Sequence, residues 1–477
     1  MSASEPESII VWFRRDLRVG DHPALHAAAG SGRPLVPLFV LDKRLLSGTE
    51  AAPARTWLLG RALVELDGSL RKLGSRLVLR SGDPAQVVPE IARSVGAGLV
   101  MATRDVTPFA HRRDQMVAAA LEREGRRLLL QPGLLLAEPE VMVTAAQRPY
   151  AVFTPFWRAL QGSPRRRPLE VPARLPALAR TPDGTDEALA ALGAAPAPHD
   201  GLPIPGEAAA QERLRAWVAG DLRTYAEGRN DLGGRATSHL GADLHLGLLS
   251  PLQVESAAAE VGEAAVPFVR QLAWREFYQH LLFHRRAERD GVPDGPLVSV
   301  FRAEADDPEA VAAWRDGRTG IPVVDAGMRQ LAATSWLSNR ARLVVASFLT
   351  RHLLMDYRIG ERHFLRHLVD GDVANNRGGW QWTAGVGADP QPWFRIFNPV
   401  LQGQRFDAQG DWVRRWVPEL AGVPARFIHA PWEMPAGIAA EAGVRLAETY
   451  PRPIVDLAWA RERALAAFRS AADQARG

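Results

Sequence analysis

The chain has 477 residues, of which 47% are hydrophobic and 23% charged, and it contains no cysteine. This length predicts two or three domains, and the composition excludes a mostly disordered or fibrous chain. The lack of cysteine excludes disulfides, thiolate metal sites and a cysteine nucleophile. The polar, acidic start is not a secretory signal, and no apolar run reaches the roughly 18 residues of a membrane span. We therefore expect a soluble cytoplasmic protein.

The charge balance allows a polyanionic partner. The formal net charge is +4, and 56 of the 58 basic residues are arginine, because only Lys43 and Lys72 are lysine. A composition rich in arginine and alanine is typical of a GC-rich genome, but excess positive charge also suits nucleic acid. Five of the 14 tryptophans lie between Trp380 and Trp416, which is more than packing alone predicts.

Residues 7–136 alternate short apolar runs with amphipathic segments, which predicts an α/β domain. The predicted strands are Ser8–Phe13, Leu35–Leu41, Arg76–Arg80, Gly98–Ala102 and Arg127–Leu130. Helical patterns such as Thr56–Leu73 and Arg112–Glu124 lie between them. Near-continuous apolar strands separated by such helices indicate a parallel, doubly wound sheet. The Gly30-Ser31-Gly32 turn precedes a strand and does not complete a dinucleotide fingerprint, so we assign no nucleotide site there.

Residues 137–205 contain 12 of the 36 prolines, which predicts a long proline-rich interdomain linker. Residues 206–477 show helical periodicity without a strong strand signal, which predicts a large all-α domain. Its predicted helices are Gln211–Glu227, Pro251–Val261, Pro267–Arg286, Val323–Ala333, Trp336–Asp356 and Glu361–Val369.

Motifs for metal-dependent or hydrolytic chemistry are weak. His280 with His284 and His363 with His367 have helical i,i+4 spacing, which places two imidazoles on one face. Neither pair has the Glu of a metalloprotease motif or an evident third ligand, so no metal site is predicted. The chain also lacks a G-x-S-x-G elbow and a P-loop.

Polar residues interrupt apolar helix faces between residues 336 and 407, and aromatic residues follow them. This set contains Asn339, Arg342, Asp370, Asp372, Asn375, Asn376, Trp380 and Trp382. Burying amides and carboxylates is costly unless partners satisfy them. The set therefore forms either an internal hydrogen-bond network or the lining of a site for a flat heterocycle. Thr237-Ser238, not far after Tyr225, suits either a pyrophosphate cradle or an ordinary helix cap.

Long, ordered motifs covering nearly the whole chain closely resemble the photolyase/cryptochrome family. They are WFRRDLRVGDHPAL, the Trp274–Tyr278 run, the Asn339–Arg342 helix, DGDVANNRGGWQW and FRIFNPVLQGQRFD. Asn339, Asn376 and the absence of a paired histidine at 339–340 resemble the bacterial cyclobutane pyrimidine dimer photolyases and not the (6-4) enzymes. The resemblance implies a lyase that splits dimers in UV-damaged DNA by electron transfer from photoexcited reduced FAD. A cryptochrome-type blue-light photoreceptor without repair is the alternative, although we expect no long signalling tail.

The resemblance implies that FAD binds in the helical domain, at residues 206–477. The implied cofactor contacts are Tyr225, Thr237, Ser238, Leu240, Arg342, Asp370, Asp372 and Asn376. Arg342 and Asp370 would form an ion pair across the isoalloxazine, and Asp372 would hydrogen-bond the ring edge. Asn376 would lie by the flavin N5, where it can favour the reduced anion.

The resemblance also implies residues that bind double- or single-stranded damaged DNA. They are Arg229, Gln271, Trp274, Asn339, Arg340, Trp382 and Arg395. The arginines would hold phosphates, Asn339 would hydrogen-bond the dimer, and the two tryptophans would stack on flipped bases. Three positions depart from the usual pattern: Gln271 replaces Glu, Leu343 replaces Met, and Gly241 replaces Ser. We expect a monomer that is cytoplasmic and nucleoid-associated when bound to DNA.

Two accessory features follow from the same resemblance. Relatives recharge oxidised flavin through three tryptophans, and Trp380 matches the innermost one, whereas Tyr357 and Glu304 occupy the middle and outer positions. Another tryptophan, Trp314 or Trp336, could substitute for them. The N-terminal domain would hold an antenna chromophore. Residues 104–111 lack the Asn-Glu pair found where folate binds, which favours 8-hydroxydeazaflavin over folate, with contacts at Arg55 and Asp105.

Overall fold

The computed structural model describes residues 7–48, 51–178, 185–234, 236–285, 296–392 and 394–474. These residues form two compact units. Unit 1 lies within Met1–Arg223, Ser238–Glu288 and Val369–Ala374, and unit 2 lies within Thr224–Thr237, Arg289–Leu368 and Asn375–Gly477. Contacts thus group two short pieces of the C-terminal half with the N-terminal part. The domain boundaries at 136 and 205 stay predictions.

The predicted parallel sheet is confirmed. Its strands are β1 (Ser8–Phe13), β2 (Leu35–Leu41), β3 (Val78–Ser81), β4 (Ala97–Thr103) and β5 (Arg127–Gln131). All neighbouring pairs are parallel, in the order β3-β2-β1-β4-β5. Every residue of β1 is buried, because helices cover both faces of such a sheet. The strand order reverses beside β1 and β4, which makes the carboxyl edge there the usual ligand position.

Five helices connect the strands: α1 (Pro23–Gly30), α2 (Lys43–Leu46), α3 (Pro53–Lys72), α4 (Pro84–Ser94) and α5 (Pro108–Glu122). Helices α4 and α5 both begin with a proline, and the side chains of Asp83 and Thr107 cap α4 and α5, respectively. The caps accept hydrogen bonds from free amide groups of the first turn, and proline has no amide hydrogen to satisfy. The buried sides of α4 and α5 pack in one core with β1 and β4.

The segment predicted as a linker packs within unit 1. It contains α6 (Phe153–Gly162) and α7 (Thr185–Ala194). The Leu35 amide donates to the Pro176 carbonyl at 2.6 Å, and the Leu175 amide donates to the Leu73 carbonyl at 2.8 Å. Backbone pairing and buried residues such as Phe153 therefore fix parts of this segment, so it is more than a connection.

The C-terminal half is helical, as predicted. Its α-helices are α8 (Glu207–Ala219), α9 (Tyr225–Gly228), α10 (Gly241–Leu246), α11 (Pro251–Ala259), α12 (Val266–His284), α13 (Pro308–Arg315), α14 (Pro322–Thr334), α15 (Asn339–Ser347), α16 (Tyr357–His367), α17 (Val373–Ala384), α18 (Pro399–Phe406), α19 (Asp411–Trp416), α20 (Ala436–Glu441) and α21 (Leu457–Gln474). Short 3₁₀-helices occupy Asp221–Thr224, Gly262–Ala265, Pro296–Val300, Glu304–Asp306, Pro418–Leu420 and Pro431–Glu433. No helix in the described part of the chain is long and apolar enough to cross a membrane.

Two predicted helices are wrong in extent. The helix predicted over Gln211–Glu227 ends at Gly220, whose backbone is not helical, because glycine readily leaves helical geometry. The helix predicted over Trp336–Asp356 begins at Asn339 and passes into a π-helical turn at Phe348–His352. Leu354, two residues after this turn, has a positive φ of 54°, which is incompatible with a continuing right-handed helix. The last residue of the predicted Pro267–Arg286 helix lies outside the described residues.

Candidate functional site

In unit 1, a buried network of charged and polar side chains surrounds Asp372. Arg15 lies just after β1, and its guanidinium contacts Asp372 Oδ2 at 2.6 Å and Asp105 Oδ2 at 3.7 Å. Gln279 on α12 donates from Nε2 to the Asp372 carboxylate at 2.9 Å. Burial lowers the pKa of Arg15, but the two carboxylates outweigh it and raise that pKa overall. The Asp372 carboxylate is thus fixed by a charge-assisted hydrogen bond from Arg15 and by a hydrogen bond from the Gln279 amide group.

Two buried polar atoms beside this network lack a hydrogen-bond partner within the described residues. They are Gln279 Oε1 and His245 Nδ1. Burial, together with Arg15 and Arg55, lowers the pKa of His245 to about 3, so the imidazole is neutral at pH 7. A buried polar atom without a partner costs free energy. A flat heterocycle with hydrogen-bonding edges would satisfy them, so these residues fit the flavin that the motifs imply.

Both predicted antenna contacts lie beside the same network. Asp105 contacts Arg15, and Arg55 is close enough to His245 to lower its pKa. Burial alone raises the pKa of Asp105, but Arg15 and Arg113 lower it overall. Arg15 and Asp105 follow β1 and β4 at the ligand-binding edge of the sheet. The assignment of Arg55 and Asp105 to a separate chromophore stays a prediction.

Ser238 and Leu240, the predicted flavin-phosphate contacts in unit 1, precede α10. The Leu240 amide donates to Ser238 Oγ at 3.4 Å, and His239 between them has a positive φ of 53°. A Cβ added at Gly241 would lie 2.6 Å from Asp370 Oδ2, a distance that no real Cβ tolerates without movement of its neighbour. The glycine that replaces the usual serine therefore makes room for the predicted flavin contact at Asp370.

The face of α12 carries two predicted base contacts. Gln271 and Trp274 lie three positions apart and are both half-buried, so they are neighbours on the helix surface. The Gln271 amide has no hydrogen-bond partner in the part of the chain that the structure describes. Trp274 lies parallel to Phe153, with ring centroids 3.8 Å apart. The arrangement suits a hydrogen-bonding group beside a stacking surface.

In unit 2, the first turn of α15 presents Asn339 to solvent. Ser338 caps this helix: its Oγ accepts from the Ala341 amide at 3.3 Å and donates to the Leu232 carbonyl at 2.9 Å. Asn339 is exposed, and its amide has no hydrogen-bond partner among the described residues. The Asn339 side chain therefore has a donor and an acceptor available to an external group.

Arg340, Arg229 and Arg405 form what we term the arginine patch. Arg340 donates from Nη2 to Asn230 Oδ1 at 2.7 Å, and its guanidinium lies 4.7 Å from the centroid of the Phe406 ring. Burial lowers the pKa of Arg340, and the positive charges of Arg229 and Arg405 lower it further. No carboxylate pairs with Arg340 within the described residues. Such uncompensated charge attracts anions. Arg405 was not predicted.

Tyr225 and Thr237 are the predicted flavin contacts in the first segment of unit 2, Thr224–Thr237. Tyr225 begins α9 and is buried, which raises the pKa of its hydroxyl, although a hydrogen bond with Arg229 lowers it in part. Thr237 Oγ1 donates to the Gly234 carbonyl at 2.8 Å. Arg229 thus contacts a predicted flavin residue as well as belonging to the arginine patch.

Asn376 on α17 is oriented by its own hydrogen bond. Its Nδ2 donates to the Glu361 carbonyl at 2.9 Å, which leaves Oδ1 as an acceptor. Arg342 is half-buried, and its Nε donates to the Leu337 carbonyl at 3.0 Å. The predicted ion pair of Arg342 with Asp370 would join residues of different units, and it stays a prediction.

Trp380 is buried in the core of unit 2. A Cβ at Gly360 would overlap its indole, so glycine is needed there. Its ring neighbours are Phe364, at a centroid distance of 5.0 Å, and Trp314, at 6.1 Å with planes 77° apart. Trp314 is fully buried. Of the two tryptophans considered as substitutes in the relay, Trp314 is the one whose ring packs on Trp380 within the described residues.

The two other predicted relay positions hold a tyrosine and a glutamate, which are poorer electron carriers than tryptophan. Tyr357 is buried and packs on Phe301 at 6.3 Å, and burial raises its pKa although a hydrogen bond with Gln381 lowers it. Oxidised tyrosine must also release its proton. Glu304 pairs with Arg315 at 2.7 Å, and a carboxylate cannot act as a relay. These positions therefore provide no chain of tryptophans.

Trp382 and Arg395 flank the loop after α17. The Trp382 carbonyl accepts from the Gly385 and Gln391 amides at 3.2 Å each, which fixes the loop, and its side chain is half-buried. Arg395 is exposed beside Phe394, which is 60% exposed. These positions are accessible, as binding to DNA requires, but their role stays a prediction.

The helical histidine pairs are explained by packing. His280 Nε2 and His284 Nε2 lie 3.0 and 3.1 Å from the carbonyls of Ala137 and Pro139. The His363 and His367 rings lie 4.2 Å apart. Among the described residues, no three His, Asp or Glu side chains are grouped to hold a metal ion.

Sequence patterns missed several residues of the network. Two arginines directly after a buried strand at the reversal of strand order are a usable signal for Arg15. Gln279 and His245 lie on helices that carry other polar residues, such as Glu276 and Asp243, so nothing in the sequence distinguishes them from surface positions. Arg405 lies within a recognised motif but carries no local signal.

Comparisons with known proteins identify the family of this chain. The family model for the FAD binding domain of DNA photolyase matches residues 268–470, and the model for DNA photolyase matches residues 9–177. The deoxyribodipyrimidine photo-lyase of Agrobacterium fabrum is 41% identical over 474 residues, covering 96% of this chain and 97% of that protein. That of Streptomyces griseus is also 41% identical, over 95% of this chain and 97% of that protein.

Solved structures similar to this chain include a photolyase and a cryptochrome. A bacterial class III photolyase from Agrobacterium tumefaciens matches with a TM-score of 0.90 and 40% identity, covering 99% of this chain and all of that one. A Synechocystis cryptochrome matches with a TM-score of 0.86 and 31% identity, covering 97% of this chain and 99% of that one.

Proposed function

Because this chain belongs to the DNA photolyase family, we propose that it splits cyclobutane pyrimidine dimers in DNA under light. The chain is a photo-lyase of this family and binds FAD. The cryptochrome alternative is not favoured, because the nearly full-length curated relatives described above are photo-lyases.

The observation that carries the proposal is the juxtaposition of Asn339 with the arginine patch. Within the described residues, Asn339 is an exposed amide without a hydrogen-bond partner, and the adjacent Arg340 guanidinium has no paired carboxylate. These two neighbours suit a base edge beside a phosphate backbone. Arginine holds phosphates through fixed donors and a permanent charge. Phosphate contacts position the nucleic acid, and contacts to base edges select the lesion.

Several residues would hold the cofactor. When bound and reduced, FAD supplies an electron to the dimer under light and takes it back after the ring opens. Asp372, fixed by Arg15 and Gln279, would accept hydrogen bonds from the ring edge. Asn376 would present Oδ1, because its Nδ2 is already bonded to the Glu361 carbonyl. An acceptor at that place favours a protonated nitrogen of the reduced ring.

The substrate would enter as a flipped-out lesion. A damaged base pair costs less to unstack than an intact one. Trp274 and Trp382 would supply stacking surfaces, each worth about 1–3 kcal/mol per base. Gln271 would donate to or accept from a base edge in place of the more common glutamate. We also propose that the protein acts as a monomer.

We propose an 8-hydroxydeazaflavin antenna near Arg55 and Asp105, at the carboxyl edge of the sheet. The support for it is the stretch at residues 104–111, which lacks the Asn-Glu pair found where folate binds in the family. Extraction of the chromophore from protein made in its native host tests the assignment. A deazaflavin supports it, whereas an extracted folate contradicts it.

A lesion-specific repair assay tests the proposed function. Reduced, FAD-loaded protein is mixed with oligonucleotides that carry a cyclobutane dimer, a (6-4) product or no lesion. We expect blue light, and not darkness, to restore thymines only in the first. A coloured protein that restores none contradicts repair and supports a photoreceptor. Restoration of the (6-4) product alone contradicts the lesion assignment.

A further inference from the structure

Phe153 is stacked face to face on Trp274. The two ring centroids lie 3.8 Å apart, and the planes differ by 6°. Phe153 is the first residue of α6 and is only 1% exposed, whereas Trp274 is half-buried. The pair therefore joins a residue of the predicted linker segment to the predicted base contact on α12, and both belong to unit 1.

Other rings hold the pair in place. Phe277 contacts the edges of both partners, at 5.9 Å from Phe153 and 5.6 Å from Trp274, with planes near perpendicular. Tyr278 lies 5.5 Å from Trp274, tilted by 37°. The Arg270 guanidinium lies 5.4 Å from the Phe153 centroid. Within the described residues, only Phe153 lies parallel to the indole of Trp274.

We propose that Phe153 is a positioning residue that sets the plane of Trp274 for stacking on a flipped pyrimidine. The inference rests on the proposed function and names a residue that neither the motifs nor the comparisons assign. A ring covered on one face and held at its edges has few orientations left, so little freedom is lost when a base stacks on its exposed part. An unsupported indole could tilt or change rotamer, and the stack would weaken.

Phe156 provides a matched control. It lies on the same helix, is also 1% exposed, and contacts Phe277 at 5.4 Å and His280 at 5.0 Å. It makes no ring contact with Trp274 within the described residues. Phe153→Leu and Phe156→Leu therefore remove the same atoms from the same core, but only the first removes the support of the indole.

The test measures discrimination: the dissociation constant for undamaged DNA divided by that for dimer-containing DNA. From the strength of aromatic pairs, we expect Phe153→Leu to lower this ratio about two- to tenfold, with unchanged affinity for undamaged DNA. Phe156→Leu should lower the Tm by a similar amount and keep the ratio. Phe153→Tyr, which retains the ring, should keep the ratio as well.

A double-mutant cycle separates positioning from general damage. In a Trp274→Leu background, Phe153→Leu should leave the ratio unchanged. An equal loss in Phe153→Leu and Phe156→Leu, or a full effect of Phe153→Leu without Trp274, would overturn the inference. If the leucine variant does not fold, Phe153→Met fills the space without a ring and gives the same test. A wild-type ratio of one would contradict the proposed function itself, which is a distinct failure.

Discussion

Replacing Arg340 by glutamine should weaken DNA binding in a way that depends on salt. Its guanidinium is held by Asn230 and by the Phe406 ring, and the neighbouring Arg229 and Arg405 repel it. A bound phosphate would relieve this repulsion and release condensed counterions. The variant loses one phosphate contact but keeps a polar side chain at the start of α15.

The size of the effect follows from counterion release. Three phosphate contacts, from Arg229, Arg340 and Arg395, predict that log affinity falls with log salt at a slope of about −2.7. Removing one contact reduces the slope to about −1.8. Between 50 and 200 mM salt, the wild-type affinity should then fall about 40-fold and that of Arg340→Gln about 12-fold.

Fluorescence anisotropy with a dimer-containing duplex at several salt concentrations measures both slopes. Arg318→Gln is the matched control, because it removes the same charge from unit 2 but the Arg318 guanidinium is paired with Asp316 at 2.6 Å. We expect its slope to equal that of the wild type. An unchanged slope in Arg340→Gln, or equal changes in both variants, would refute the assignment of Arg340 to a phosphate.

Three further predictions concern the flavin and stability. Flavin photoreduction should stop in Trp380→Phe and slow at least tenfold in Trp314→Phe, while repair by chemically reduced protein is retained. Transient absorption measures the photoreduction rate, and a rate that falls in Tyr357→Phe instead would favour the tyrosine route. Asn376→Ala should shorten the lifetime of reduced flavin in air, and an unchanged lifetime and spectrum would contradict its placement at N5. Tm should fall by roughly 5 °C from pH 7 to pH 5. Burial lowers the pKa of four histidines to about 3 or 4, so near pH 6.5 these side chains take up protons in the unfolded chain but not in the folded chain, and acid favours unfolding. Glu276, whose pKa burial raises to about 7, has the opposite effect, and a Tm that rises would show that Glu276 dominates. These histidines are His245, His280, His352 and His363.

The sheet could be predicted from sequence because its signal is local. β1 and β2 coincide with their predicted ranges, since continuous apolar runs bounded by polar residues leave few alternatives. The ends of helices were harder. The α15 start at Asn339 depends on the Ser338 cap, and its continuation as a π-helical turn depends on tertiary packing, which helical periodicity does not contain.

The motifs predict the residues of the candidate site, and that assignment stays a prediction; they do not predict the residues that orient them. Asn376 and Asp372 lie in a recognisable block, but the groups that orient them lie on other elements: the Glu361 carbonyl is 15 positions from Asn376, and Arg15 is 357 positions from Asp372. Pairing between such positions is set by the fold and leaves no periodic trace. Likewise, proline content indicated a linker but not that Phe153 within it stacks on Trp274.

Single-turnover repair tests the central claim most directly. The reduced, FAD-loaded protein is bound to a thymine dimer oligonucleotide in excess protein, and restored thymines are quantified after each short flash of blue light. The account predicts stepwise restoration with each flash and none in darkness. With Asn339→Ala, the restored fraction should not exceed the fraction of oligonucleotide that the variant still binds. A fully formed complex of wild-type protein that restores no thymine after repeated flashes would contradict it.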